Sequence, residues 1–155
     1  MDPQSTPKER ASRKVVSLVV RSPGRAGEVL LVQRPEDDPD LPGVWGLPAG
    51  RIHEGENRPA TVRRIGLEKL GVRLDPGPVL NRGWTARTTY RLEMEIVEAW
   101  LAAGEPSVPQ ARSGVTQYTQ WRWGIARDLE PAADLGSLCC RLFLEAEAPD
   151  DPAGA

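Results

Sequence analysis

The segment "TYRLEMEIVEAWLAA" alternates between apolar and charged side chains, and this alternation restricts the possible folds more than any other feature. The two alternating sets are Tyr90, Leu92, Met94 and Ile96 against Arg91, Glu93 and Glu95. A period of two residues places the sets on opposite faces of a strand. We therefore predict a half-buried β-strand here, the longest of the chain, in a sheet that packs at least one face against a core.

Two β-branched runs precede this strand, "KVVSLVV" at residues 14–20 and "EVLLVQR" at residues 28–34, with turn residues between them. They predict two neighbouring strands. After the Pro-, Asp- and Gly-rich loop "PEDDPDLPGVWGLPAG", Asn57 is a good N-cap and Pro59 suits a first helical turn. A helix is therefore predicted from Asn57 to about residue 70, ending at Gly71.

The last third of the chain predicts one more strand, in "VTQYTQWRWGI", and one terminal helix, in "DLEPAADLGSLCCRLFLEA". Strands, loop, helix, strands and helix follow one another in that order. This order favours an α+β fold in which helices cover both faces of a mixed sheet.

The length of 155 residues predicts a single domain over residues 13–146, with a disordered N-terminus at 1–12 and a disordered acidic tail at 147–155. The net charge of −2 argues against bulk nucleic-acid binding and against attraction to anionic membranes. Neither a leader peptide nor a membrane-spanning run is visible, so a cytoplasmic location is predicted. The adjacent Cys139 and Cys140 are predicted to be core residues.

The segment "GRIHEGENRPATVRRIGLEKLGV" resembles the Nudix box, and the family pattern matches at Gly50, Glu56, Arg64, Glu68, Gly71 and Val72. "EVLLVQR", "GVWGLPAG" and "QWRWGIARDLEP" also resemble family segments, so the similarity spans about residues 14–145. The resemblance implies a Nudix-type α/β/α sandwich. It further implies cleavage of a pyrophosphate linkage by water, assisted by a divalent metal.

In the family, three glutamates along one helix face bind the metal, because Mg²⁺ prefers hard oxygen ligands. The corresponding residues here are Ile65, Glu68 and Lys69, so two carboxylates are missing. A shifted register would make Arg63 the family arginine, but it would put Arg64 at an acidic position. The resemblance leaves Glu68 as a candidate catalytic residue and metal ligand, with the carbonyl of Ala49 as a second ligand. Mg²⁺ or Mn²⁺ is expected to be held weakly.

The family implies that Glu56 and Arg64 form an ion pair that ties the box loop to the helix, and Glu56 is also kept as a catalytic candidate. Candidate substrate-binding residues are Trp45, Arg64, Lys69 and Arg87. A further family metal ligand would correspond to Gln117 or Gln120, whose amides carry no charge. The lone His53 is expected to be solvated rather than a general base.

Two functions remain open at this point. The first is a weak hydrolase of a nucleoside diphosphate linked to another moiety. The second is an inactive Nudix-fold module that binds a nucleotide or a partner protein. Either function predicts a nucleotide or a nucleotide-derived small molecule as ligand and excludes a membrane partner, while a homodimer remains an open alternative to a monomer.

Overall fold

The computed structural model describes residues 11–109 and 118–148. A mixed sheet of seven strands forms its centre, and β1 and β6 run parallel at the middle of that sheet. The strands are β1 (Ser12–Arg21), β2 (Val29–Gln33), β3 (Trp45–Gly46), β4 (Ala49–Arg51), β5 (Arg73–Ala86), β6 (Arg91–Ala103) and β7 (Gln120–Gly124). Their main order is β3-β2-β1-β6-β5, with β4 pairing with β1 and β7 pairing with β2. The predicted neighbouring strands β1 and β2 are confirmed as an antiparallel pair.

The prediction that β6 is the longest strand is wrong, because β5 has 14 residues and β6 has 13. The sequence analysis made no prediction for β5, which contains the two prolines of "DPGPV" at residues 75–79. Proline is tolerated at a sheet edge and at bulges, and β5 is an edge strand whose register with β6 shifts between Pro76 and Val79.

The first helix, α1 (Arg58–Ile65), begins as predicted after Asn57, whose side chain accepts a hydrogen bond from the Ala60 amide. A π-helical turn (Gly66–Leu70) continues it and ends at Gly71, which has the left-handed φ of 65°. Glycine at 66 allows close packing, since a Cβ there would lie 2.8 Å from Leu74 Cγ. A π-helical turn contains one more residue than an α-helical turn, so it changes the direction in which its side chains project from the helix.

The predicted terminal helix is interrupted. It consists of a 3₁₀ turn (Ala126–Leu129), α2 (Glu130–Asp134) and α3 (Leu138–Glu147). Gly136 has a φ of 101°, which ends α2, and Ser137 then caps α3 by accepting a hydrogen bond from the Cys140 amide. Within "LGSL", the glycine therefore ends one helix and the serine begins the next.

Two apolar clusters cover the two faces of the sheet, and the alternation along β1 separates them. Val16 and Leu18 pack with α1 and the π-helical turn, whereas Val19 packs with α2 and α3. The predicted α/β/α arrangement is therefore confirmed. Cys139 and Cys140 are both free and buried in the second cluster, as predicted.

The structure begins β1 at Ser12, one residue before the predicted domain start, and ends α3 at Glu147. Most of both predicted disordered ends lies outside the described residues. Among the residues that the structure describes, no helix is both long and apolar enough to cross a membrane.

Candidate active site

A cleft of about 410 Å³ opens where β4, the π-helical turn and the start of α3 approach the first residues of β1 and β6. One part of its wall is apolar, with Val15, Leu92, Met94 and Leu138. Another part is strongly basic. Five cationic and two acidic side chains line the cleft: Arg34, Arg51, Arg64, Lys69 and Arg87 against Asp40 and Glu68.

The box loop is fastened to α1 by Arg64, as predicted. Its Nε donates to Glu56 Oε2 at 2.7 Å, and its Nη2 donates to Glu56 Oε1 at 3.1 Å and to the Arg51 carbonyl at 2.6 Å. Glu56 also accepts hydrogen bonds from the His53 amide and the Thr61 hydroxyl. Arg63 is exposed and Arg64 makes the contact with Glu56, which is the arrangement that the ungapped register predicts.

These contacts place Glu56 in the fastening of the loop, and its catalytic role stays a prediction. It does not line the cleft, and both of its oxygens already accept hydrogen bonds. The hydrogen bonds from Arg64 lower the pKa of Glu56 to about 2. Arg64 likewise gives its donors to Glu56, Glu68 and Arg51. Its predicted role in substrate binding therefore has less support than its role in holding the loop.

Replacing Glu56 with Gln should lower the free energy of unfolding by about 1–3 kcal/mol at neutral pH, because the half-buried Arg64 loses its charged partner. The folded-state pKa lies below the usual 4.5, so this stability is present above about pH 4.5 and is lost as the pH falls towards 2. Urea unfolding at several pH values measures the difference between wild type and variant.

The matched control is Glu54→Gln in the same loop, where the side chain is exposed. We expect this change to alter stability by less than about 0.5 kcal/mol at any pH. A Glu56→Gln cost that stays constant down to pH 2 would contradict the ion-pair explanation.

Lys69 lies in the π-helical turn and directs its ammonium into the cleft wall. Its Nζ donates to the Ala49 carbonyl at 2.5 Å and lies 5.7 Å from the centre of the Tyr118 ring. Burial, together with the smaller effects of the nearby cations Arg34 and Arg64, lowers the pKa of Lys69 to about 8, against the opposing effect of Glu68. A cation is therefore held here despite an environment that disfavours it.

The side chains do not fit the metal site that the family pattern implies. Ile65 is fully buried in the first cluster, the Glu68 carboxylate accepts from Arg64 Nη1 at 3.2 Å, and the Ala49 carbonyl accepts from Lys69. Within residues 11–109 and 118–148, no three His, Cys, Asp or Glu side chains form a group that could hold a metal ion. The predicted metal ligands Glu68 and Ala49 are thus engaged by cations.

The remaining predicted residues separate into two groups. Lys69 and Arg87 line the cleft, as does the exposed His53. Trp45 does not line it. This residue lies on β3, where it packs against the second cluster and carries the Arg122 guanidinium 4.6 Å above its ring. Gln120 pairs with Gln33 on β2, and Gln117 lies outside the described residues.

Arg34, Arg51 and Tyr118 are among the cleft residues that the sequence analysis missed. Arg34 immediately follows β2 and donates to Asp38 at 2.7 Å, and Tyr118 accepts from the Ala49 amide at 3.0 Å. Burial raises the pKa of Tyr118 to about 12. The sequence did contain a signal for Arg34 as a binding residue, because it lies where a buried strand meets a polar loop and binding residues are common on loops.

Comparison with known proteins identifies the family. The model of the NUDIX domain matches residues 11–130, and this chain therefore belongs to the Nudix family. The predicted family and fold are confirmed. No match was found among curated proteins.

Solved structures show the same fold. The MutT protein from Methanosarcina mazei Go1 aligns with a TM-score of 0.66 at 18% identity, covering 90% of this chain and 99% of that one. The E. coli ORF135 protein gives 0.68 at 19% identity, with 95% and 100% coverage. An ADP-ribose pyrophosphatase from Streptococcus suis 89-1591 gives 0.57 at 18% identity, with 94% and 96% coverage. At these identities the similarities support the fold alone.

Proposed function

We propose that this protein binds a small molecule containing a nucleoside diphosphate, and that fixed cationic side chains in the cleft hold the phosphates. One observation carries the proposal: five cationic side chains and only two carboxylates line the cleft of a chain whose net charge is −2. Such a local excess of positive charge favours a multiply charged anion. Lys and Arg both bind phosphate oxygens through charge-assisted hydrogen bonds.

The division of the cleft wall supports a nucleotide rather than an inorganic anion. Val15, Leu92 and Met94 offer an apolar surface that suits a base or a sugar ring, while Lys69, Arg51 and Arg87 suit the phosphates. A nucleoside diphosphate has the same division between a weakly polar end and a highly charged end. The ligand class is consistent with the similarity to the ADP-ribose pyrophosphatase from Streptococcus suis.

A second candidate function is slow hydrolysis of a pyrophosphate linkage in the same cleft. Two observations favour it. The chain belongs to the Nudix family, and the Glu68 carboxylate lines the cleft, where it is 46% exposed. The pairing of Glu68 with Arg64 and the absence of the other two box acids argue that any turnover is weak.

Isothermal titration with ADP in the presence of EDTA tests the binding proposal. We expect a Kd of about 100 µM or lower at low ionic strength, and at least about tenfold weaker binding for adenosine, which lacks the phosphates. Binding should weaken as salt is added, because salt screens the partly exposed charges. Equal affinity for adenosine and ADP would contradict the proposal.

The hydrolase candidate has its own measurement. ADP-ribose and a UDP-sugar are incubated with the protein and Mg²⁺ or Mn²⁺, and the products are separated by anion-exchange chromatography. Product formation that is lost in Glu68→Gln but kept in Glu54→Gln would support hydrolysis. Intact substrate with confirmed ADP binding would leave the binding module as the function.

We also propose a cytoplasmic location, since Cys139 and Cys140 are free thiols that a reducing compartment would preserve.

A further inference from the structure

The Lys69 ammonium has hydrogen-bonding capacity that residues 11–109 and 118–148 do not use. An ammonium has three N–H donors. Among the described residues, the Ala49 carbonyl is its only hydrogen-bond acceptor, at 2.5 Å. The group lies in the wall of the cleft, so its other donors can reach a bound ligand.

The position of this ammonium is set by close packing. A Cβ at Gly50 would lie 3.9 Å from Lys69 Nζ and 2.8 Å from Ile65 Cγ1, so β4 and the π-helical turn are in direct contact here. Ile65 is fully buried, and the centre of the Tyr118 ring lies 5.7 Å from the ammonium. The lysine is therefore held between packed elements and is not a freely moving surface side chain.

The charges around Lys69 do not attract a second cation. Arg34 and Arg64 lie near enough to disfavour its charged form, and the carboxylate of Glu68 accepts a hydrogen bond from Arg64. The Ala49 carbonyl oxygen, the hard ligand atom at this point, is occupied by the ammonium. A divalent ion brought to this carbonyl would face the charge of Lys69 directly, and like charges at such distances repel strongly in a cleft of reduced dielectric constant.

We infer that Lys69 takes the place of a divalent metal at the Ala49 carbonyl, and that the cleft selects the metal-free form of a diphosphate. This inference rests on the proposed function. A free diphosphate offers its full negative charge and all its oxygens to the cationic side chains. In the Mg²⁺ chelate, two of those charges are neutralised and two or more oxygens are occupied, so the same side chains bind it more weakly. Magnesium therefore acts as an antagonist of binding.

The test compares ADP titrations in EDTA and in excess Mg²⁺, for wild type and for Lys69→Glu. For wild type, Mg²⁺ should weaken ADP binding at least about fivefold. For Lys69→Glu, the ammonium is replaced by a second carboxylate beside Glu68 and the Ala49 carbonyl is released. Mg²⁺ should then strengthen ADP binding at least about fivefold, which inverts the effect. The control Lys14→Glu makes the same charge change at an exposed position outside the cleft lining and should keep the wild-type direction.

A titration of Mn²⁺ without nucleotide, followed by electron paramagnetic resonance, separates this inference from the proposed function. Lys69→Glu should bind Mn²⁺ at least about ten times more tightly than wild type does. At the concentrations where Lys69→Glu binds Mn²⁺, wild type and Lys14→Glu should leave the ion free. Tight Mn²⁺ binding by wild type would overturn the inference, as would stronger ADP binding in Mg²⁺. A folded Lys69→Glu variant with no gain in Mn²⁺ affinity would also overturn it. Failure of wild type to bind ADP in EDTA would instead refute the proposed function.

Discussion

Replacing Lys69 with Met should weaken ADP binding in EDTA by about 10- to 100-fold. Methionine preserves most of the length and apolar volume of the side chain but removes the ammonium and its donors. A hydrogen bond to a charged group contributes about 1.5–3 kcal/mol, and each 1.4 kcal/mol changes an affinity tenfold. Isothermal titration at constant pH and low salt measures the change.

The stability of the Lys69→Met variant should equal or exceed that of wild type. Burial disfavours the ammonium, as the lowered pKa of about 8 indicates, so the neutral side chain removes an unfavourable charge from the folded state. Lys14→Met is the matched control, since Lys14 is exposed and does not line the cleft. ADP affinity that is unchanged in Lys69→Met would show that the lysine does not contact the phosphates.

Phe143→Ala should have the largest effect on stability, a loss of about 3–5 kcal/mol in the free energy of unfolding. Phe143 is 1% exposed and belongs to the cluster that joins α3 to the sheet. Removing its ring leaves a cavity that the neighbouring strands cannot fill without moving. Urea unfolding followed by tryptophan fluorescence gives the free energy of each variant.

Arg141→Ala on the same helix is the control, because Arg141 is exposed; its cost should stay below about 0.5 kcal/mol. The cap residue Ser137 and the first two residues of α3, Leu138 and Cys139, line the cleft. A loosened α3 should therefore also weaken ADP binding when the variant is studied under conditions where it remains folded. A loss of less than about 1 kcal/mol for Phe143→Ala would mean that α3 contributes little to the packing of the domain.

The Nudix box combines a structural role with a metal-binding role, and in this protein the two roles are separated. The structural role is retained, since Glu56 and Arg64 still hold the loop on α1 through two hydrogen bonds of 2.7 and 3.1 Å. The metal-binding role is replaced at two of three positions, one by a core side chain, Ile65, and one by a cation, Lys69. The loop geometry can persist without the metal because the hydrogen bonds between Glu56 and Arg64 do not involve the residues at the metal-ligand positions.

Much of this architecture was predictable from local patterns. Alternation in β6, the β-branched runs of β1 and β2, and the cap and stop signals at Asn57 and Gly71 all act over a few residues. The resemblance to the Nudix box also predicted the ion pair between Glu56 and Arg64, which the structure contains. Local sequence therefore determined β1, β2, β6 and the first helix, whereas β3, β4 and the edge strand β5 were not predicted.

Only the tertiary structure decided what the cleft contains. Arg34, Tyr118 and Lys69 come from elements far apart in the chain, and their proximity depends on how β2, β7 and the π-helical turn pack together. The π-turn at Gly66 and the break at Gly136 redirect side chains in ways that a helical period does not describe. The sequence determined that carboxylates were missing. The structure determined that an ammonium is bonded to the Ala49 carbonyl, because long-range packing, rather than residue type, sets where the side chain of Lys69 ends.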